Sequence, residues 1–142
     1  MNRFIIRLRI RSSHCDPQGR LQAARYFELV NRVVEEWFGD PLEFSFAYMH
    51  SQENRIGIPT ARLVLETHQP AYLGEELEIS LQVLELRRSA IKLAIDASCE
   101  NQPRFSARVV IVLAEASSGR LRSMEIPADL RAAMERYSVP AI

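Results

Sequence analysis

The chain is predicted to be an α+β protein in which an antiparallel sheet of five or six strands wraps one long helix. Three patterns in its 142 residues carry that prediction: a strictly alternating segment near the start, one long segment of helical period, and four consecutive segments of period two after it. Composition agrees, with 47% apolar residues and 18 Lys+Arg balanced by 18 Asp+Glu, as expected of one ordinary domain spanning residues 1–142. A chain of this size buries roughly 65–70% of its unfolded surface, enough for a core without staples.

The elements follow in order. Phe4, Ile6, Leu8 and Ile10 alternate with Arg3, Arg7, Arg9 and Arg11, the period of a strand with one buried face. Ser12 to Gly19 breaks the alternation with Pro17 and Gly19 and reads as a loop. Tyr26, Phe27, Val30, Val33, Val34, Trp37 and Phe38 then recur at three- and four-residue steps, a long helix with a wide apolar stripe. Gly39 suits a left-handed terminating residue, and Asp40-Pro41-Leu42-Glu43 offers the N-cap and first turn of a short second helix, about residues 41–50. Ala61–Thr67 and Glu76–Val83 are two alternating strands joined through Pro70–Gly74. Ile91–Ser98 is a third, and Phe105–Ala116, apolar on both faces, reads as a central fourth; the four form a meander with a turn at Asn101–Pro103. Ser117–Gly119 is another turn, and Ile126-Pro127 opens a last helix reaching about Tyr137, with Leu130, Ala133 and Met134 as its stripe. This layout leaves sheet edges and the doubly apolar strand in need of cover, so a homodimer at least is expected.

Several function classes are excluded or disfavoured. A formal charge of zero argues against a surface tuned as a whole to nucleic acid or anionic lipid, leaving room only for local anion sites. Arginines interrupt every apolar run of Met1–Arg11, so neither a secretory leader nor a membrane span is expected, and a reducing cytoplasm is the expected compartment. Cys15 and Cys99 share no metal-ligand spacing, and adjacent His14, Cys15 and Asp16 side chains do not converge on one ion, so no metal is expected.

The loop Ser12-Ser13-His14-Cys15-Asp16-Pro17-Gln18-Gly19 holds the chemistry worth weighing. Asp16 either shapes an Asp-Pro turn or serves as a carboxylate nucleophile or base. The free N–H groups at the following helix start, within Leu21–Ala24, either meet water or stabilise an oxyanion. Arg87 and Arg88 either lie solvated or anchor phosphates, with one of the two reaching a given ligand. The Arg3, Arg7, Arg9 and Arg11 stripe reads as a solvated face, His14 as a loop partner or a group tuning Asp16, and His50 and His68 have no partner evident in the sequence.

Several motifs taken together resemble one family. Asp16-x-x-Gly19 before a helix, Tyr26 ten residues later, Ile56-Gly57-Ile58-Pro59, Gln69-Pro70-Ala71-Tyr72-Leu73-Gly74-Glu75, Arg87-Arg88-Ser89 and Ile126-Pro127 stand in the order of the motifs of the 4-hydroxybenzoyl-CoA thioesterase family of hotdog-fold acyl-CoA thioesterases. The resemblance covers about Phe4 to Tyr137. It implies hydrolysis of an acyl-CoA, aromatic or short to medium in its acyl group, to the free acid and coenzyme A, without a cofactor. It further implies Asp16 as nucleophile or general base, the Ala23 amide as oxyanion donor, and Tyr26, Asn31, Ile58, Arg87, Arg88 and Ser89 as substrate-binding residues, in a homodimer or homotetramer. Three positions depart from the pattern: His14 stands where many members carry a second acid, Arg25 where an asparagine precedes the tyrosine, and Asn31 where some aromatic-acyl members carry an acid. Two alternatives stay open, a non-catalytic acyl-CoA-binding module and a hotdog hydratase or dehydratase, though the latter usually pairs a histidine with an acid.

Overall fold

A computed structural model describes residues 2–140. Its elements are β1 (Phe4–Arg9), a single 3-10 turn (Ser12–His14), α1 (Arg25–Gly39), α2 (Phe46–Ser51), β2 (Ile56–Gly57), β3 (Thr60–Thr67), β4 (Glu76–Leu86), β5 (Ala90–Cys99), β6 (Gln102–Val112), β7 (Ala114–Ser117), β8 (Arg120–Ser123) and α3 (Ala128–Glu135). β1, β4, β5, β6 and β3 form, in that order, an antiparallel five-stranded sheet, and β2, β7 and β8 a separate three-stranded one.

The alternating runs bury one face of β4, β5 and β6, and half-bury one face of β1 and β3. Leu77, Ile79 and Leu81 of β4, Ile91, Leu93 and Ile95 of β5, and Phe105 of β6 have no exposed surface, while Glu78, Lys92, Asp96 and Arg108 take the other face. Against the inner face lies the stripe of α1: Tyr26, Leu29, Val30, Val33, Val34, Trp37 and Phe38. Each large apolar side chain fully buried in this way contributes about 1.5–3 kcal/mol. Rings lock at both ends of the helix, Tyr26 edge-on to Phe105 at 5.3 Å and Trp37 edge-on to Tyr137 at 5.8 Å.

The expected wrapped sheet is present, with several corrections. Phe27 is not in the stripe: it is 47% exposed, and Leu29, one step off the seven expected positions, is buried instead. β3 does not pair with β4, so the four strands are no meander; β3 lies on the far side of β6 and the segment from His68 to Glu75 crosses from one sheet edge toward the other. Alternation marks a strand's faces but not its neighbour. β6 consequently has both edges hydrogen-bonded within the chain, and the free edges are β1 and β3. The expected Phe105–Ala116 strand breaks at Leu113, whose N–H is drawn to the Ser89 carbonyl at 2.8 Å, and β7 leaves to pair with β2. The β5–β6 turn sits at Glu100 and Asn101, both left-handed, and Gln102 and Pro103 belong to β6.

The second helix starts later than expected. Leu42 is buried, Leu42 and Phe44 N–H groups donate to the Trp37 and Phe38 carbonyls, and Glu43 is left-handed, so residues 40–44 fold back over the end of α1. Ser45 is the N-cap, its hydroxyl accepting the Tyr48 N–H at 3.1 Å. Gly39 ends α1 without a left-handed conformation, since Pro41 just beyond has no N–H with which to continue the helix.

Candidate active site

Asp16 stands in a very small hairpin. Cys15 pairs with Leu21, the Asp16 N–H donates to the Arg20 carbonyl at 2.8 Å, and the Gly19 N–H donates to the Asp16 carbonyl at 2.9 Å. Gly19 makes the tight reversal possible by taking φ +81°, which a side chain would strain. The Asp16 carboxylate is only 34% exposed and its two oxygens differ: Oδ1 accepts the Gln18 and Arg20 N–H groups at 2.9 and 3.0 Å, whereas Oδ2 has a loose cation, Arg20 Nε, at 3.7 Å. One oxygen holds the turn while the other accepts no hydrogen bond among the described residues.

The start of α1 is tied to the same hairpin. The Gln22 N–H donates to the His14 carbonyl and its side-chain amide to the Cys15 carbonyl, both at 3.0 Å. Ala24 is the N-cap, with no side-chain cap, and no acceptor among the described residues takes the Ala23 or Ala24 N–H. Unsatisfied amides at the positive end of a 15-residue helix attract a negative oxygen. His14 is a loop partner here, its Nδ1 accepting the Arg11 N–H at 3.3 Å.

A second connection braces the hairpin along its side. The Leu21 N–H donates to the Ala71 carbonyl and the Leu73 N–H to the Gly19 carbonyl, each at 2.8 Å, so the Pro70–Gly74 crossover is zipped to the Asp16 loop. Tyr26, in the first turn of α1, is buried beside this junction; burial pushes its hydroxyl above the usual tyrosine range, opposed by a backbone hydrogen bond at Ala71 and by the Arg104 charge. Arg104 and Glu75, which form a partly buried ion pair at this end, were not marked as site residues by the sequence, where an isolated arginine in a strand carries no signal.

The other expected residues lie elsewhere. Asn31 lines a cleft of about 470 Å³ between β1 and α1, together with Arg7, Arg11, His14, Glu28 and Arg32. Arg87, Arg88 and Ser89 form the β4–β5 turn, where Arg87 is exposed and paired with Glu85 at 2.9 Å and the Arg88 carbonyl accepts the Ile126 N–H. Ile58 is half-buried at the same end, between β2 and β3. β4 runs eleven residues from the Asp16 end to that turn, roughly 30 Å at the usual strand rise. Asp16, Ala23 and Tyr26 are thus brought together, and Ile58, Arg87, Arg88 and Ser89 form a second group at the opposite end of the same sheet. Among the described residues no cluster of three or more His, Cys, Asp or Glu side chains could hold a metal ion, and no helix is long and apolar enough to cross a membrane.

Comparison with known proteins places this geometry. The Dynemicin thioesterase superposes with a TM-score of 0.87 at 17% identity, over 99% of this chain and 100% of that one. The 4-hydroxybenzoyl CoA thioesterase from Pseudomonas sp. strain CBS-3 superposes with a TM-score of 0.85 at 21% identity, over 94% and 99%. Slr0204, a 1,4-dihydroxy-2-naphthoyl-CoA thioesterase from Synechocystis, gives 0.84 at 14% identity, over 98% and 100%. At these identities the likeness is one of fold, the hotdog. No curated protein matches the sequence. The sequence profile of the thioesterase-like superfamily matches residues 10–134, which include the Asp16 hairpin, α1 and the whole five-stranded sheet beyond β1, and the chain belongs to that superfamily.

Proposed function

We propose that this protein hydrolyses an acyl-CoA thioester to the free acid and coenzyme A. The observation that carries the reading is the pairing of a carboxylate on the hairpin, whose Oδ2 accepts no hydrogen bond and has only a loose cation at 3.7 Å, with an adjoining helix start whose Ala23 and Ala24 amides have no acceptor among the described residues. A thioester carbonyl seated between them meets an attacking group on one side and donors for the developing oxyanion on the other. As nucleophile, Asp16 Oδ2 would add to the carbonyl carbon and expel the coenzyme A thiolate, leaving an acyl-aspartyl anhydride that water cleaves to acid and regenerated carboxylate. As general base, it would take a proton from the attacking water, and the thiolate would leave in the same way. Superfamily membership and the thioesterases among the structural neighbours support this class of reaction.

Tyr26, Asn31 and Ile58 are assigned to the acyl side and Arg87, Arg88 and Ser89 to the nucleotide side. Because Ile58, Arg87, Arg88 and Ser89 lie at the opposite end of the sheet from Asp16, Ala23 and Tyr26, the assignment requires a homodimer or homotetramer in which a second copy supplies the far end. The acyl group is aromatic or short to medium aliphatic, and the whole chain acts as one domain in a cytoplasmic setting. The other reading, a non-catalytic acyl-CoA-binding module, is favoured by the two amide bonds that commit Asp16 Oδ1 to the turn. Thiol release measured across benzoyl-, hexanoyl- and octanoyl-CoA separates them: turnover that disappears in Asp16→Asn establishes the hydrolase, and saturable binding without thiol release establishes the binding module.

A further inference from the structure

Arg104 is the one charged side chain in the buried set of the described residues, at 9% exposure, and its position is unusual for an arginine next to a core phenylalanine. Strand register explains how it gets there. Ala97 faces Phe105 and Ser98 faces Pro103, so Arg104 is the extra residue of a β-bulge on β6. A bulge re-aims a side chain that simple alternation would send to the opposite face from its neighbour, and Arg104 and Phe105 are both buried.

Once inside, the guanidinium is committed to a single target, the crossover. Nη1 donates to the Pro70 carbonyl at 2.7 Å and to Glu75 Oε1 at 2.6 Å, and Nη2 donates to Glu75 Oε2 at 2.8 Å. Glu75 Oε1 also accepts the Tyr72 N–H at 2.7 Å, and the Arg104 carbonyl accepts the His68 N–H at 2.8 Å. Both ends and the middle of the crossover are therefore tied to one residue. The crossover in turn carries the hairpin through the Leu21 to Ala71 and Leu73 to Gly19 bonds.

Resting on the hydrolase reading above, we propose that Arg104, with Glu75 as its partner, is a positioning residue that sets Asp16 against the amides of the α1 start. Simple stability is a poor reason for the pair, since buried ion pairs give little net stabilisation over apolar residues of the same volume. Direction is a better one: the planar fork grips the two carboxylate oxygens through two separate nitrogens while also reaching a carbonyl, a fixed geometry that an apolar side chain cannot supply and that a lysine, with all its donors on one nitrogen, does not reproduce. Misplacement of reacting groups by about 1 Å costs up to about a hundredfold in rate, so a brace of this kind matters to an acid that touches it nowhere.

The test uses the full chain and three variants, Arg104→Lys, Glu75→Gln and Glu75→Asp. Amide hydrogen exchange reads the brace directly: in the first two variants exchange at the Arg20 and Leu21 amides is expected to rise at least roughly tenfold relative to the β5 amides of the same sample. Thiol release from benzoyl- and hexanoyl-CoA reads its use: kcat is expected to fall about ten- to a hundredfold with KM changed less than about twofold, and Glu75→Asp to retain more activity than Glu75→Gln. Should Arg104→Lys not fold, the two Glu75 variants carry the comparison. Unchanged exchange at Arg20 and Leu21 overturns the proposal, as does raised exchange with unchanged kcat in an active protein. A parent that releases thiol from no acyl-CoA overturns the hydrolase reading instead, while the exchange result still decides whether the pair holds the loop.

Discussion

Asp16→Asn and Asp16→Ala together separate the two jobs that the carboxylate can do. Asparagine keeps a carbonyl oxygen for the Gln18 and Arg20 amides and loses only the 3.7 Å contact between Oδ2 and Arg20. That ion pair is solvent-exposed, so its loss costs about 0–1 kcal/mol, or at most about 4 °C in Tm for a chain of this size. Alanine removes both amide bonds. Each is worth about 1.5–3 kcal/mol when fully formed, but the side chain is a third exposed and water replaces part of that, which leaves about 1–3 kcal/mol and a Tm lowered by about 2–12 °C. Loss of the nucleophile or base costs about a hundredfold or more in turnover in either variant. Thiol release and thermal unfolding on the same samples therefore give a signature: Asp16→Asn folds like the parent and barely turns over. An asparagine variant with parental thiol release at parental Tm, beside an alanine variant deficient in both, would refute the reasoning and leave Asp16 as a turn former.

Replacing Arg87 and Arg88 with alanine is expected to raise KM for acyl-CoA much more than it lowers kcat, to leave a truncated thioester lacking the nucleotide unaffected, and to be mimicked by added salt; steady-state kinetics with both substrates check this. Sedimentation at micromolar concentration is expected to give a homodimer or homotetramer, and a stable, active monomer would contradict the two-copy site. For Tyr26, burial raises the hydroxyl pKa in the folded state, so the stability it contributes is complete below the unfolded value of about 10 and is lost as pH climbs through the folded one. Thermal unfolding between pH 7 and 11 is expected to show a shallower alkaline decline in Tyr26→Phe than in the parent.

Much of the fold is legible because each element's inner face repeats at its own period: β4 alternates without fault across Leu77–Val83, β5 alternates across Ile91–Ala97 except at the small, buried Ala94, and α1 shows its stripe from Tyr26 to Phe38. Pairing is less legible. Nothing in Ala61–Thr67 distinguishes a partner in β4 from one in β6, because both partners present the same apolar rows to the helix. Local breaks depend on tertiary demands: Leu42 is buried under the end of α1, which turns Asp40–Glu43 away from helix, and Leu113 is pulled out of line by Ser89. The site was legible where it is local. Asp16, Gly19 and the helix start lie within ten residues, whereas the Arg104 brace needs a bulge that composition does not mark, and its contacts with Pro70 and Glu75 span 34 and 29 residues.

The free edges of the sheet bear on how the two ends of the proposed site could meet. β1 reaches from Arg9, opposite Glu76, only to Phe4, opposite Leu81, and so stops well short of the Arg87 turn. β3 spans the sheet: it enters beside Ile58 and leaves at Thr67, opposite Phe105, next to the bulge that carries Arg104. A two-fold axis that pairs β3 with its own copy runs the two strands antiparallel, because an isologous interface joins the same edge in reversed direction. The Ile58 end of one copy then lies against the Thr67 end of the other, which is the end holding Tyr26, Arg104 and the Asp16 hairpin. Pairing through β1 brings no such exchange. Of the two edges, β3 is therefore the one through which a second copy could complete the acyl pocket, and the same contact would satisfy the unpaired backbone groups that an exposed edge otherwise presents to solvent.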